Sequence, residues 1–197
     1  MVGYSYNLIL KRRKKLKIRR IIGRLIYVVA SRMPSSDSKI QLGQKFIRAL
    51  CARMILNKCG RHVNIERKAR FSSNIEIGDY SGIGVRCEVN GPCRIGKHVM
   101  MAPECIIFTQ NHRTDRVDIP MTEQGVTPPK EVVIGDDVRI GRRVMIMPGV
   151  KIGNHSIIAA GAIVTHDVPD YAIAAGVPAR VVKYRNDIGG ESHEPTE

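Results

Sequence analysis

A six-residue repeat constrains this chain more than any other feature. Every sixth residue from Ile65 is apolar, giving Ile65, Phe71, Ile77, Ile83, Val89, Ile95, Met101 and Ile107. The series breaks across residues 113–130 and resumes as Ile134, Ile140, Ile146, Ile152, Ile158 and Val164. All 14 starting positions are apolar in a chain that is 43% hydrophobic. Four residues after a start the side chain is small: Ala69, Ser81, Cys87, Cys93, Val99, Cys105, Val138, Val144, Val150, Ser156, Ala162 and Val168, with Ile75 the one larger residue. Glycine follows the start at 78, 84, 96, 135, 141 and 153. A period of six fits neither a helix nor a two-sided strand. It fits short strands joined by tight corners, one supersecondary unit repeated in space. The first residue points into a prism and the small one lines a crowded wall, while glycine is expected to take corner dihedrals that a side chain would forbid. Three sides make an 18-residue turn, and successive turns stack ~4.8 Å apart. The 14 sides then predict between four and five turns.

Charge is uneven along the 197 residues. The formal net charge is +14, yet residues 1–33 hold ten Lys/Arg and no acid, and the remainder has 22 Lys/Arg against 18 Asp/Glu, leaving +4. Nine of the basic residues fall within 11–24, and Ile18, Ile21, Ile22, Leu25 and Val29 keep the spacing of one helical face. This basic amphipathic helix has two readings: peripheral docking of residues 11–29 on an anionic membrane surface, or a solvated segment packed loosely on the repeats. Nucleic acid is disfavoured, because no aromatic residue beyond Tyr27 interleaves the run and no binding module is present. Residues 21–30 are too short, and too interrupted by Arg24, to span a bilayer or serve as a signal peptide. A linker follows at 33–38. Ser38 with Gln41 reads as a capping box, Phe46, Ile47, Leu50, Met54 and Ile55 as the apolar face of a second helix, and Gly60 as its stop. That helix is expected to cover the open first turn, whose strand edges would otherwise invite aggregation. The organisation expected is therefore a helical extension over 1–60, a β-solenoid over 61–185 with a loop at 113–130, and an acidic disordered tail over 186–197. Of five cysteines, Cys87, Cys93 and Cys105 occupy small inward positions, which suits packing in a reducing compartment. No Cys-x-x-Cys pair suggests a metal site.

Clean repeats are chemically inert, so chemistry is expected where the pattern fails. Of six histidines, His98, His155 and His166 sit within intact repeats, while His62 precedes the first start and His193 lies in the tail. His112 stands where the coil breaks, beneath the long loop.

The Ile-Gly-x-x-Val-x units, with Asn90-Gly91-Pro92, Phe108-Thr109-Gln110-Asn111-His112, Asp118-Ile119-Pro120-Met121, Gln124-Gly125 and Ala175-Gly176-Val177-Pro178-Ala179-Arg180, resemble the hexapeptide-repeat acyltransferases. The resemblance covers about residues 59 to 185 and is strongest to sugar O-acetyltransferases of surface polysaccharide pathways. It implies a left-handed parallel β-helix, an exception to the usual crossover hand. It also implies transfer of acetyl from acetyl-CoA to a sugar hydroxyl of a polysaccharide or its precursor. His112, in a Thr-x-x-His context, matches the family's general base; imidazole titrates near pH ~6.5, close to working pH. Asp115 is the first-named group to fix its tautomer, with Asp118, Glu123 or a backbone carbonyl as alternatives. Positions matching the family's coenzyme groove are Gly141, Arg142, Ala160, Thr165, His166, Arg180 and Lys183, in a homotrimer whose groove lies between subunits. Two departures stand out: Gly84 replaces an acceptor-binding asparagine of the galactoside branch, and Arg139 replaces a tryptophan. Asn90 and Asn111 remain as polar acceptor candidates. Other readings are an amino-sugar N-acetyltransferase and a non-catalytic scaffold. A β-helical carbonic anhydrase would need zinc histidines five apart, and Val117 holds that position. The reading as a whole is a cytoplasmic transferase without a metal, peripheral at the inner face of the plasma membrane if its basic helix docks there.

Overall fold

The inward stagger of large and small residues closes three walls around one core. The computed structural model describes residues 2–186; the tail expected to be disordered lies outside the described residues from Asp187 onward. Two helices, α1 (Val2–Ala30) and α2 (Gln44–Ile55), precede a parallel β-solenoid of about six turns. The first wall holds β1 (Lys58–Cys59), β4 (Ile75–Ile77), β7 (Cys93–Ile95), β10 (Val132–Ile134) and β13 (Lys151–Ile152). The second holds β2 (Asn64–Ile65) and β5 (Gly82–Ile83), then β8 (Met100–Met101), β11 (Arg139–Ile140), β14 (Ile157–Ile158) and β16 (Ala172–Gly176). The third holds β3 (Arg70–Phe71), β6 (Glu88–Val89), β9 (Ile106–Ile107), β12 (Met145–Ile146) and β15 (Ile163–Val164). A last strand, β17 (Ala179–Tyr184), turns back antiparallel on β16.

The repeat starts fill the prism. All are buried except Phe71, which is half-buried beneath Tyr27 at 5.0 Å between ring centroids. The small positions are buried throughout, including Ser81 and Ser156, whose hydroxyls bond backbone carbonyls of the next turn (Ser81 Oγ to Gly96 O, 2.7 Å; Ser156 Oγ to Pro169 O, 2.8 Å). The cysteines are free. Burial pushes the Cys93 thiol up to about 12, the state of an inert packing residue.

The structure corrects several expectations. The glycines that follow a repeat start do not take left-handed dihedrals; that conformation falls mostly on residues with side chains, His62, Tyr80, His98, Asp137 and His155 along one edge and Lys68, Arg86, Glu104 and Arg143 along another, where Gly161 at φ 74° continues the row. Glycine is required for space instead: a Cβ on Gly78 would lie 2.6 Å from Gly96 C, and one on Gly84 2.5 Å from Ala102 O. The coil is also longer than the apolar series, because Cys59-Gly60 pairs in register with Ile77 and the next glycine, and Ala172 and Ala174 line the core at its far end. Small residues there escaped a pattern keyed to large ones. Gly60 is thus a coil glycine rather than a helix stop, and α2 ends at Ile55.

The second helix begins at Gln44, with Gly43 as its N-cap at φ 73°, not at Ser38. Gln41 reaches Ser38 O at 2.6 Å and closes a turn of the linker. Its buried face is Gln44, Arg48, Cys51, Ala52 and Ile55, while Phe46 and Leu50 are exposed. Arg48 explains the rotation. Its buried guanidinium donates to Ile65 O (2.5 Å), Pro34 O (2.8 Å) and Ser36 Oγ (3.0 Å) and stands 3.5 Å from the Glu66 carboxylate. One side chain thereby ties the linker and α2 to the first turn. Arg48→Ala would strand the buried Ile65 carbonyl, the half-buried Pro34 carbonyl and the Glu66 carboxylate. It should lower stability by about 3 kcal/mol or more in urea unfolding.

Candidate active site

The loop at 113–130 leaves and rejoins the coil through a hydrogen-bonded neck. Thr127 N donates to Asn111 O (2.8 Å), Asn111 N to Thr127 Oγ1 (3.0 Å), Arg113 N to Gly125 O (3.0 Å) and Lys130 N to Thr109 O (2.6 Å). His112 bridges antiparallel to Val126 in this neck and is exposed. Thr109 is buried beneath it and donates to Gly91 O at 3.0 Å. Beyond the neck the loop braces itself. Gln124 Nε2 donates to Arg116 O (2.7 Å) and Ile119 O (3.1 Å), and Pro120 leads into a single 3-10 turn at Met121–Glu123. Val117 and Met121 project into solvent at its tip.

None of the three carboxylates named for the imidazole, Asp115, Asp118 and Glu123, is paired with it. Asp115 faces Arg113 at 3.6 Å and Asp118 pairs with Arg116. Asn90 sits one turn below the neck, its backbone N–H bonded to Ile107 O at 3.1 Å, and Asn111 supplies the neck's backbone bonds with its side chain exposed.

Five of the seven coenzyme candidates fall on the two margins of the third wall. Thr165 and His166 follow β15 on the same edge as His112, with Thr165 Oγ1 2.8 Å from His166 Nδ1, and both are exposed. Lys130 packs across the intervening corner, its Cβ 3.3 Å from where a Cβ of Gly149 would stand. Gly141 and Ala160 occupy the opposite edge, and a Cβ on Gly141 would lie 2.4 Å from Ala160 N, so inter-turn packing alone requires glycine there. Arg142 is already engaged: with Arg86 and Arg143 it surrounds Glu104, at 3.3 Å from both carboxylate oxygens. Arg180 and Lys183 lie on β17 at the far end of the second wall, both exposed.

Two features escaped the sequence reading. Between these edges Ile106, Met145 and Ile163 stack in register, half-buried, as an outward apolar strip. The outward residues of the first wall are instead mostly charged: Lys58, Glu76, Arg94 and Lys151. The signal was available at the sixth position of the repeat, which alternation assigns to solvent. On the second wall a groove brings Ser36 and Asp37 of the linker beside Tyr80, Gly84, Met100 and Arg139. A Cβ at position 84 would lie 2.5 Å from Ala102 O, so the next turn of this chain requires glycine there. Among the described residues no group of three or more His, Cys, Asp or Glu is placed to hold a metal ion.

Hydrogen bonds from Arg86, then Arg142 and Arg143, hold Glu104 down at about 2, against an ordinary 4.5. A depressed carboxylate stabilises the fold fully above its unfolded value, and the contribution is lost as pH falls toward the folded one. Glu104→Gln should therefore lower the melting temperature near neutrality. The melting temperature of the variant should also fall less than that of the wild type between about pH 4.5 and about pH 2.

Comparison with known proteins gives this geometry a context. Residues 131–166 match the model of the bacterial transferase hexapeptide (six repeats) family. The chain is 33% identical over 157 residues to the galactoside O-acetyltransferase of Escherichia coli K12, covering 78% of this chain and 73% of that protein. A hexapeptide-repeat acetyltransferase of Vibrio cholerae, solved with acetyl coenzyme A, superposes with a TM-score of 0.70 at 26% identity over 85% of this chain and 87% of its own. A galactoside acetyltransferase in complex with coenzyme A gives 0.69 at 27% identity, over 90% and 86%.

Proposed function

Because this chain belongs to the hexapeptide-repeat transferases and is an acetyl-CoA-dependent acetyltransferase, we propose that its acceptor is a sugar hydroxyl, of a surface polysaccharide or its precursor, and that His112 is the general base. The observation that carries this reading is the position of His112. It is exposed, and it is held by backbone bonds in the neck of the loop that interrupts the coil. Along the same edge lie Thr165 and His166. Acetyl-CoA supplies an acetyl group activated as a thioester. The His112 imidazole takes the hydroxyl proton as the sugar oxygen bonds to the carbonyl carbon. The carbon–sulfur bond then breaks, and the leaving thiolate recovers the proton, so the histidine ends as it began.

The remaining residues divide by chemistry. The apolar strip of Ile106, Met145 and Ile163 suits the pantetheine arm, with Gly141, Ala160, Thr165 and His166 along its margins. Arg142, Arg180 and Lys183 suit the coenzyme phosphates. Asp115 takes a positioning role through Arg113, next to the histidine. Asn90 and Asn111 are the acceptor candidates nearest the neck.

His112→Ala or Asn should lower turnover by ~10²–10⁴, the usual size of a general-base contribution. Acetyl-CoA affinity and melting temperature should hold, because the side chain fills no part of the core. His98→Ala and His155→Ala, whose rings stack on Tyr80 and Tyr171 at repeat corners, should stay within a few-fold of wild type. Mass spectrometry of acetyl transfer across a panel of sugars reads both. An active, folded His112→Ala would refute the assignment.

A homotrimer follows from the same reading. The coenzyme strip is one wall of an open surface, and Val117 and Met121 project uncovered from the loop, as expected if a neighbouring subunit completes each site. Light scattering should give three times the chain mass, and a fully active monomer would contradict the arrangement.

A further inference from the structure

The amphipathic α1 packs on the body with the face opposite its aliphatic stripe. Gly23 and Ala30 are buried, and a Cβ on Gly23 would lie 2.7 Å from Met54 Cβ, so the α1 backbone lies directly on α2. Arg20 Nη2 donates to Asn57 Oδ1 at 2.7 Å, Tyr27 OH to Ala69 O at 2.8 Å, and Lys68 N to Ser31 O at 2.9 Å. These bonds fix the rotation of the helix about its axis. They leave Ile18, Ile21, Ile22, Leu25, Ile26 and Val29 pointing away from the protein, with Leu25 at 66% and Val29 at 69% exposure. A contiguous stripe of this kind on a soluble surface marks a docking face.

We propose that this face docks α1 in the plane of an anionic phospholipid surface, its aliphatic side chains at the acyl boundary and its cations on lipid phosphates. Charge selects the occupant. At 3.6 residues per turn Lys17 and Arg24 run along one margin of the stripe and Arg19 along the other, while Lys14 and Lys15 cross its N-terminal end. Beside the stripe a crevice opens between α1 and the first turns. Arg24, Arg32, Lys68 and Arg70 line it with Tyr27, and no carboxylate does. A basic rim around an aliphatic stripe is the pattern of interfacial helices on anionic leaflets. A second copy of this chain would bring the same excess of positive charge to the contact, since of these cations Arg70 pairs with a carboxylate, that of Glu88. Among the described residues no helix is long and apolar enough to cross a membrane, so the docking is peripheral.

The test is sedimentation of the full chain with two kinds of vesicle, phosphatidylcholine alone and phosphatidylcholine mixed with phosphatidylglycerol. Binding to the anionic vesicles is expected, falling as salt shortens the Debye length from ~10 Å toward ~3 Å, with little binding to the neutral ones. The double variant Leu25→Glu with Val29→Glu removes no buried contact and should weaken anionic binding by at least about tenfold. Its light-scattering mass, melting temperature and acetyl transfer to a soluble sugar should match wild type. The variant Lys17→Gln with Arg24→Gln should flatten the salt dependence while leaving the fold intact. Equal binding of the wild type and the glutamate variant would overturn the proposal. So would equal binding to neutral and anionic vesicles, or a change of oligomeric mass in the glutamate variant, which would make the stripe a subunit contact.

Discussion

Each turn of this solenoid lies so close to the next that several corners have no room for a Cβ. Gly78 against Gly96, Gly96 against Gly135, and Gly141 against Ala160 are approaches under 3.0 Å for any side chain. Backbone hydrogen bonds run from turn to turn through those contacts, such as Gly78 N to Ile95 O and Gly141 N to Ile158 O at 2.9 and 2.8 Å. At those positions glycine is used for proximity rather than for dihedral freedom, which within the repeats it supplies only at Gly149 and Gly161. The dihedral burden falls on a ladder of ordinary residues whose N–H groups bond the preceding turn, as Tyr80 N does to Arg61 O and His98 N to Asp79 O. Side chains at those corners are free to point outward and stack, which is how His62, Tyr80 and His98 come to lie ring on ring.

A structure so constrained along its axis can vary only outside the walls. The loop at 113–130 is inserted at a corner without disturbing the register on either side, since β7 pairs with β10 and β9 with β12 as though no residues intervened. The insertion therefore leaves the core intact and presents His112 at a rigid edge. The neighbouring wall gains its apolar strip by the same freedom: outward positions carry no packing duty, so Ile106, Met145 and Ile163 mark a surface meant to be covered.

The fold was largely legible in the sequence because a six-residue period leaves few geometries, and the residues that set it are the ones that fill the core. Ile65 through Val164 are placed as the period demands. What escaped was whatever the period does not encode. Cys59-Gly60 and Ala172 belong to the coil but lack the large aliphatic that signals it. Asp37 reaches the second-wall groove from a linker, so no spacing could announce it. His112 was singled out by its place at the break, which the loop neck keeps in the structure, whereas Asp115 turns toward Arg113, a choice of rotamer and partner that sequence does not specify. Gly141 matched the family's coenzyme groove, yet its smallness is already explained by Ala160.

The N-terminal helices show the limit of amphipathicity as evidence. In both, the aliphatic stripe was visible and its destination was not. Phe46 and Leu50 look like a core face, yet the buried face of α2 carries Gln44 and Arg48, because the linker presents carbonyls such as Ile40 O and the open end of the solenoid presents Ile65 O, and both need donors. An apolar face laid there would have left those acceptors unsatisfied. The same reasoning applies to α1, whose contact with α2 is made by Gly23 and Ala30 because close helix approach selects small residues. Once the small face is committed to the protein, the large aliphatics on the other side can only face something else. A stripe turned outward by the packing of its own helix is stronger evidence for an external partner than the stripe alone.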